Sequence, residues 1–289
     1  MSRKILTLRE LPSTGRTYAR ALAARGSGRP RLEPVELRVA EVRVDAEHLA
    51  AYQRLLEEPV CDSAPAGYLF VLGFPLALQL MTRPGFPLRA VGMVHLRNHV
   101  VQNHAVRIGD TVGLRTWAQG LRAHRAGTQV EIVSQALDAD GDVAWEQVST
   151  FLAKGTRLPG LEPAPERERE FSPPTPTASW SFAKDVGRRY AAVSGDRNPI
   201  HLSSLAARAF GYPRAIAHGM YTAARALAAV GPARGEACTW EIDFGRPVLL
   251  PATVAVRVAA RDEGPGFETA VWDPRSGKPH LTGTVTPIG

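Results

Sequence analysis

The run Ser194-Gly195-Asp196-Arg197-Asn198-Pro199-Ile200-His201 sets a carboxylate and an imidazole five positions apart, on a segment stiffened by Pro199. Seventeen residues further on comes His218-Gly219-Met220. Asp196 and His201 can converge on a single water molecule. The Gly219 amide opens the helix that follows and can face an oxyanion at the positive end of the helix dipole. Together these are the parts of an acid/base site with charge stabilisation built in. Ser-Gly-Asp and Asn-Pro are also common loop dipeptides, and such residues alone are more often a solvated turn than a site.

The surrounding elements favour the site. Ser203 or Ser204 caps a short helix from Leu205 to Phe210, and Gly211 terminates it. A turn through Pro213 then returns the chain to His218-Gly219, which brings His201 and the Gly219 amide near each other. In the next helix Met220, Ala223, Leu227 and Val230 follow helical spacing, and Gly231-Pro232 ends it.

Further out, the chain divides. Proline density and alternating charge between Lys154 and Trp180 predict an extended linker between halves of similar size. His104 to Ala118 aligns without gaps on Arg246 to Ala260, with identities at Val106/Val248, Thr111/Thr253, Val112/Val254, Arg115/Arg257 and Ala118/Ala260. Each half reads as one apolar helix followed by antiparallel strands. In the first half Gly73 is expected to start that helix, running to Met81; in the second, Gly219 does.

The stretch from Tyr190 to Leu227, with S-G-D-x-N-P-I-H followed by A-H-G-M, resembles the hydratase 2 motif of MaoC-like dehydratases, the (R)-specific enoyl-CoA hydratases. The two-half layout is similar to their double-hotdog members. That resemblance implies an α+β double hotdog, two helix-wrapped antiparallel sheets joined as a pseudo-dimer. Residues 1–153 would form a degenerate hotdog half, 154–180 the Pro-rich linker, and 181–289 the catalytic half. It implies a hydro-lyase of fatty acid metabolism that interconverts (3R)-3-hydroxyacyl and trans-2-enoyl thioesters. Asp196 and His201 match the catalytic pair, Asn198 the orienting residue, and Gly219 the amide that polarises the thioester carbonyl. Ser194, Ile200 and His218 are expected at the substrate. Ser203 stands where many members carry an acidic residue, and its position looks like a helix cap. The first half has no D-x-N-P-x-H, since Val44 to Leu56 reads as helical without a matching loop. The alternatives are a hotdog acyl-CoA thioesterase and a non-catalytic acyl-thioester-binding subunit.

Bulk properties fit this reading. The net charge of +7 is spread over arginines interleaved with acids, not gathered into a nucleic-acid stripe, whereas a phosphate-bearing small molecule needs only two or three of them. An acyl-CoA or acyl-carrier-protein thioester is the expected partner, with no nucleic acid and no membrane; the chain also admits a homodimer. No apolar run approaches a membrane span, and the first ten residues are charged too soon for a signal peptide. Cys61 and Cys238 have no metal or redox spacing, so the cytoplasm is the expected compartment. No cofactor and no metal are expected. Among the other histidines, His95 and His99 should share one strand face and His104 the other, all three as surface or interface residues. His218 is expected to fix its loop, while His48 and His280 carry no signal.

Overall fold

The computed structural model describes residues 3–24, 26–165 and 170–289. From the N-terminus run β1 (Lys4–Leu8), α1 (Thr14–Ala23), β2 (Val35–Arg43), α2 (Ala46–Leu55) and α3 (Ala66–Met81). Then come β3 (Val94–Gln102), β4 (Thr111–His124), β5 (Gly127–Leu137) and β6 (Val143–Lys154). The second part opens with β7 (Ala178–Phe182), α4 (Val186–Ser194), α5 (Pro199–Leu202), α6 (Ser204–Ala209) and α7 (Gly219–Val230). It closes with β8 (Cys238–Phe244), β9 (Ala252–Ala260), β10 (Phe267–Trp272) and β11 (Pro279–Pro287).

Two helices dictate the architecture. α3 is apolar on almost every side, and only Pro75 and Gln79 escape full burial. Such a helix has to be wrapped on all sides. α7 is buried through Ala223, Ala224 and Leu227, and its small side chains let strands approach its axis. An 11-stranded sheet does the wrapping, in the order β1-β2-β4-β5-β6-β3-β8-β11-β10-β9-β7. β3 and β8 join the halves antiparallel, with Val100 opposite Trp240. The architecture is the α+β double hotdog that the sequence led us to expect. Among the described residues no helix is long and apolar enough to cross a membrane.

The repeat seen in the sequence is a structural one. Ala64 N–H donates to Val106 C=O at 2.8 Å, and Ala217 N–H donates to Val248 C=O at 2.9 Å. Antiparallel bridges Ser63–Arg107 and Ile216–Leu249 sit beside those bonds. Each central helix therefore starts two residues after the bonded alanine, with Pro65 capping α3 and His218 capping α7. This corrects the expected start of the first helix: α3 begins at Ala66, two turns before Gly73. A helix buried all round has no amphipathic edge to mark its start, and the chain tolerates Pro75 inside it.

Polar contacts across the halves reinforce the sheet. Arg225 meets Glu57 at 2.5 Å, Arg107 meets Glu236 at 2.7 Å, and Arg234 pairs with Glu58. His48, which carried no signal in the sequence, is one of these links. Its ring bonds Tyr68 Oη through Nδ1 at 3.0 Å, and Nε2 donates to Val193 C=O at 2.8 Å. Of the linker expected over 154–180, residues 166–169 lie outside the described set. Its described parts run past the end of β4, where Pro163 bridges Ala123, and over β10, where Phe171 lies against Trp272.

Candidate active site

The turn after α4 builds the site. Gly195 caps that helix in the left-handed region at φ 70°, a conformation glycine adopts without a Cβ clash. The next residue, Asp196, is held on several sides. Its N–H donates to Ser194 Oγ at 3.1 Å, and its Oδ1 accepts from Asn198 N–H at 3.1 Å. The Tyr18 hydroxyl, from α1 in the first half, donates to the same Oδ1. With Oδ1 taken twice, Oδ2 is the carboxylate oxygen left for chemistry.

Pro199 starts α5 at its first position, where the missing N–H costs nothing. That short turn presents His201, whose Nδ1 lies 2.9 Å from Ile216 C=O. A carbonyl only accepts, so Nδ1 carries the proton and Nε2 keeps its lone pair. His218 Nε2 lies 3.0 Å from Asp196 C=O and donates to it, as the expected loop-fixing role requires. The two imidazoles stack with centroids 3.7 Å apart. α4 packs so closely that a Cβ on Gly187 would sit 2.2 Å from His201 C=O.

The charges follow from this packing. Burial pushes the Asp196 carboxyl up, but the His218 and His201 imidazoles and the Tyr18 and Asn198 hydrogen bonds outweigh it and hold it below the usual carboxylate range. Burial lowers His201. Burial and the neighbouring His201 bring His218 down to about 3. Near neutral pH the site therefore holds an anionic Asp196 and neutral imidazoles. Burial, and then the Asp196 charge, raise Tyr18 well above its ordinary value, so it stays a hydrogen-bond donor.

Ligand-type atoms of Asp196, His201 and His218 lie within 4.8 Å of one another, a spacing at which a cation could be held. The fit to a metal is poor. The two rings stack face to face, so their in-plane lone pairs do not converge on one point as ~2 Å coordination demands.

Asp196, Asn198, Ile200, His201, His218 and Gly219 all line one cavity. Ser194 is buried outside that lining and instead supports the Asp196 amide. Gly219 begins α7, so its N–H has no intrahelical partner, and Phe244 covers the position where a side chain would stand, 2.9 Å from a Cβ. The far wall is apolar and comes from α3, through Phe70, Phe74, Leu78 and Met81.

Two cavity residues depart from the sequence reading. Tyr18 was not legible there. His95 is not a surface residue: its ring stacks on Phe151 at 4.4 Å and tilts against Phe244 at 4.7 Å, and its Nε2 is buried without a partner among the described residues. A bulge between His95 and Arg97 breaks the period of two, so His95 lines the cavity while His99 stays exposed beside Glu241. His104 lies on the outside against Asp138. His280 also reaches the cavity.

Comparison with known proteins gives a consistent picture. The MaoC like domain model matches residues 161–275, a span that contains Asp196, His201 and Gly219. The chain is 40% identical to 3-hydroxyacyl-thioester dehydratase X of Mycobacterium tuberculosis over 248 residues, 86% of this chain and 87% of that one. The crystal structure of HtdX from the same organism superposes with a TM-score of 0.77 at 37% identity, covering 88% of this chain and all of that one. A MaoC-like dehydratase from Phytophthora capsici shares the fold, with a TM-score of 0.67 at 17% identity over 88% of this chain and 95% of that one.

Proposed function

The chain belongs to the MaoC-like dehydratases, and from that premise we propose that it reversibly dehydrates (3R)-3-hydroxyacyl thioesters to trans-2-enoyl thioesters at Asp196 and His201. One observation carries the assignment of roles. His201 is neutral with Nε2 unprotonated, within a cluster whose ligand atoms span 4.8 Å and which includes the anionic Asp196.

In the hydration direction, two acceptors suit one water, which has two hydrogens to give. Its oxygen then attacks C3 of the enoyl group, and one proton passes to His201 Nε2. The carbon–carbon π pair moves toward the thioester, whose oxygen gains enolate charge against the Gly219 N–H and the α7 dipole. Collapse of the enolate takes the proton from His201 to C2, so one base serves both carbons on the same face. Asp196 holds the water through Oδ2 throughout. Dehydration retraces these steps: C2 loses its proton to His201, which returns it to the departing hydroxide. Each of the pair supplies about two to four decades of rate.

The thiol arm belongs to coenzyme A or to an acyl carrier protein, and the reaction belongs to the cytoplasm. A thioesterase would need a carboxylate set at the carbonyl carbon, yet Asp196 is the one carboxylate among the described residues that line the cavity. A non-catalytic binding subunit has no use for a buried carboxylate held by two hydrogen bonds at one oxygen with the other left free. The test is crotonyl-CoA hydration, read as loss of enoyl-thioester absorbance against release of free thiol. Asp196→Asn and His201→Ala should each slow hydration at least ~100-fold in folded protein. Thiol release, or near-normal hydration by either variant, overturns the proposal.

A further inference from the structure

Arg246 lines the cavity, and the segments that lead to it on that side carry further exposed cations. Segments 197–217 and 245–250 are stitched together there by Ala217 N–H to Val248 C=O and Leu250 N–H to Ala215 C=O. Gly245 N–H donates to His280 C=O, which brings the turn holding Lys278 alongside. From the first half, Gly92 approaches Phe210, with a Cβ there 3.4 Å from its ring, and this places the Arg89 segment at the same rim. These segments carry the exposed cations Arg89, Arg197, Arg208, Arg214, Arg246 and Lys278. Neither 197–217 nor 245–250 contains an Asp or Glu, and the Asp273 of the Lys278 turn is bonded within its own turn to Arg275 N–H and Ser276 Oγ. Asp196, just before the first, is turned inward to Tyr18 and Asn198.

Among the described residues none of the six makes an ion pair. The side-chain bonds of Arg89 and Arg208 go to the carbonyls of Leu22 and Pro213, which leaves their charge uncompensated. Amid these cations stands Leu205, 78% exposed, well beyond the 39–52% of the other exposed large apolar residues. It stands on a fixed platform: Ser203 caps α6, and Tyr212 N–H ties back to Ala207 C=O at 3.0 Å.

We propose that this rim docks an acidic acyl carrier protein, which delivers the thioester on its pantetheine arm; the inference rests on the dehydratase reading above. Free coenzyme A needs two or three cations for its phosphates and has no apolar side chain to cover Leu205. A carrier with carboxylates flanking an apolar residue on a helix answers both features, and opposite potentials of this kind speed encounter and fix orientation.

The test compares hydration of crotonyl groups carried by acyl carrier protein, by coenzyme A and by pantetheine, at low and high salt. The native protein should favour the carrier-borne substrate over crotonyl-pantetheine by at least ~10-fold in kcat/KM at low salt, and salt should erode that advantage. Leu205→Glu and Arg214→Glu, both outside the cavity lining, should abolish the advantage and leave crotonyl-pantetheine turnover unchanged. Unaltered carrier kinetics in both variants overturns the proposal, as does a loss confined to crotonyl-CoA, which would mark a phosphate site. Binding of fluorescently labelled holo-carrier separates this proposal from the dehydratase reading: binding weakened by Leu205→Glu in a protein that hydrates nothing keeps the docking surface and removes the activity.

Discussion

The hydroxyl of Tyr18 donates to Oδ1 of Asp196 across 178 residues of chain. A helix in the half without the motif thus decides which carboxylate oxygen of the other half is free. The bond also stabilises the charged form of Asp196, together with the Asn198 amide.

Tyr18→Phe keeps the ring and deletes that bond. The Asp196 pKa should rise, so the acidic limb of the kcat/KM profile for crotonyl-CoA moves to higher pH while the alkaline side is unchanged. Turnover at neutral pH should fall about 10-fold, in line with the loss of one charge-assisted hydrogen bond. A variant with an unshifted acidic limb would show that Tyr18 only fills space.

Acid should destabilise the fold through its buried imidazoles. His95 and His218 are both lowered to about 3 by burial, whereas an unfolded chain protonates histidine near ~6.5. Below that pH the unfolded state binds protons that the folded state refuses, so stability is fully present above ~6.5 and drains away toward ~3. Thermal melts from pH 7 to pH 4 should show Tm falling, and His95→Phe should flatten the fall. A His95→Phe melt series parallel to the native one removes His95 from this account.

Two glycines give a matched pair. Gly187→Ala would put a methyl 2.2 Å from the His201 carbonyl, forcing α4 and α5 apart. We expect a loss of about 1–3 kcal/mol in urea unfolding and at least ~10-fold in kcat. Gly15→Ala in α1 meets nothing within 4 Å and should be neutral or stabilising by up to about 1 kcal/mol. Equal effects of the two would mean that the α4–α5 contact does not position His201.

The second half should not stand alone. A fragment from Trp180 to Gly289 would expose the β8 edge that β3 now pairs, along with Arg225 stripped of Glu57. It should aggregate or pair with itself, as size-exclusion chromatography would show. A soluble, active monomer of that fragment contradicts the prediction.

The sequence revealed the parts of the site that are contiguous in the chain. Asp196, Asn198, His201 and Gly219 come from one loop-helix-loop, and its cap at Ser203 was legible because local side-chain-to-backbone bonds have local signatures. Tyr18 was invisible, because a tyrosine on a short helix says nothing about a carboxylate in the other half. His95 was misplaced for a different reason: strand alternation predicts a face only until a bulge resets it. The start of α3 was missed because uniform burial leaves no periodic boundary to read.

A symmetric pair of identical subunits inherits every substitution twice. In this chain the same backbone bond is made by Ala64 and Ala217, yet the next residue is proline in one half and histidine in the other. Within one chain the two positions can differ, as they do here. Apart from Tyr18, the half with Pro65 meets the cavity largely through the apolar wall of α3, so under the proposed function substitutions in α3 reshape the acyl channel without touching Asp196 or His201. Channel shape at α3 can then vary while the Asp196 and His201 geometry is kept.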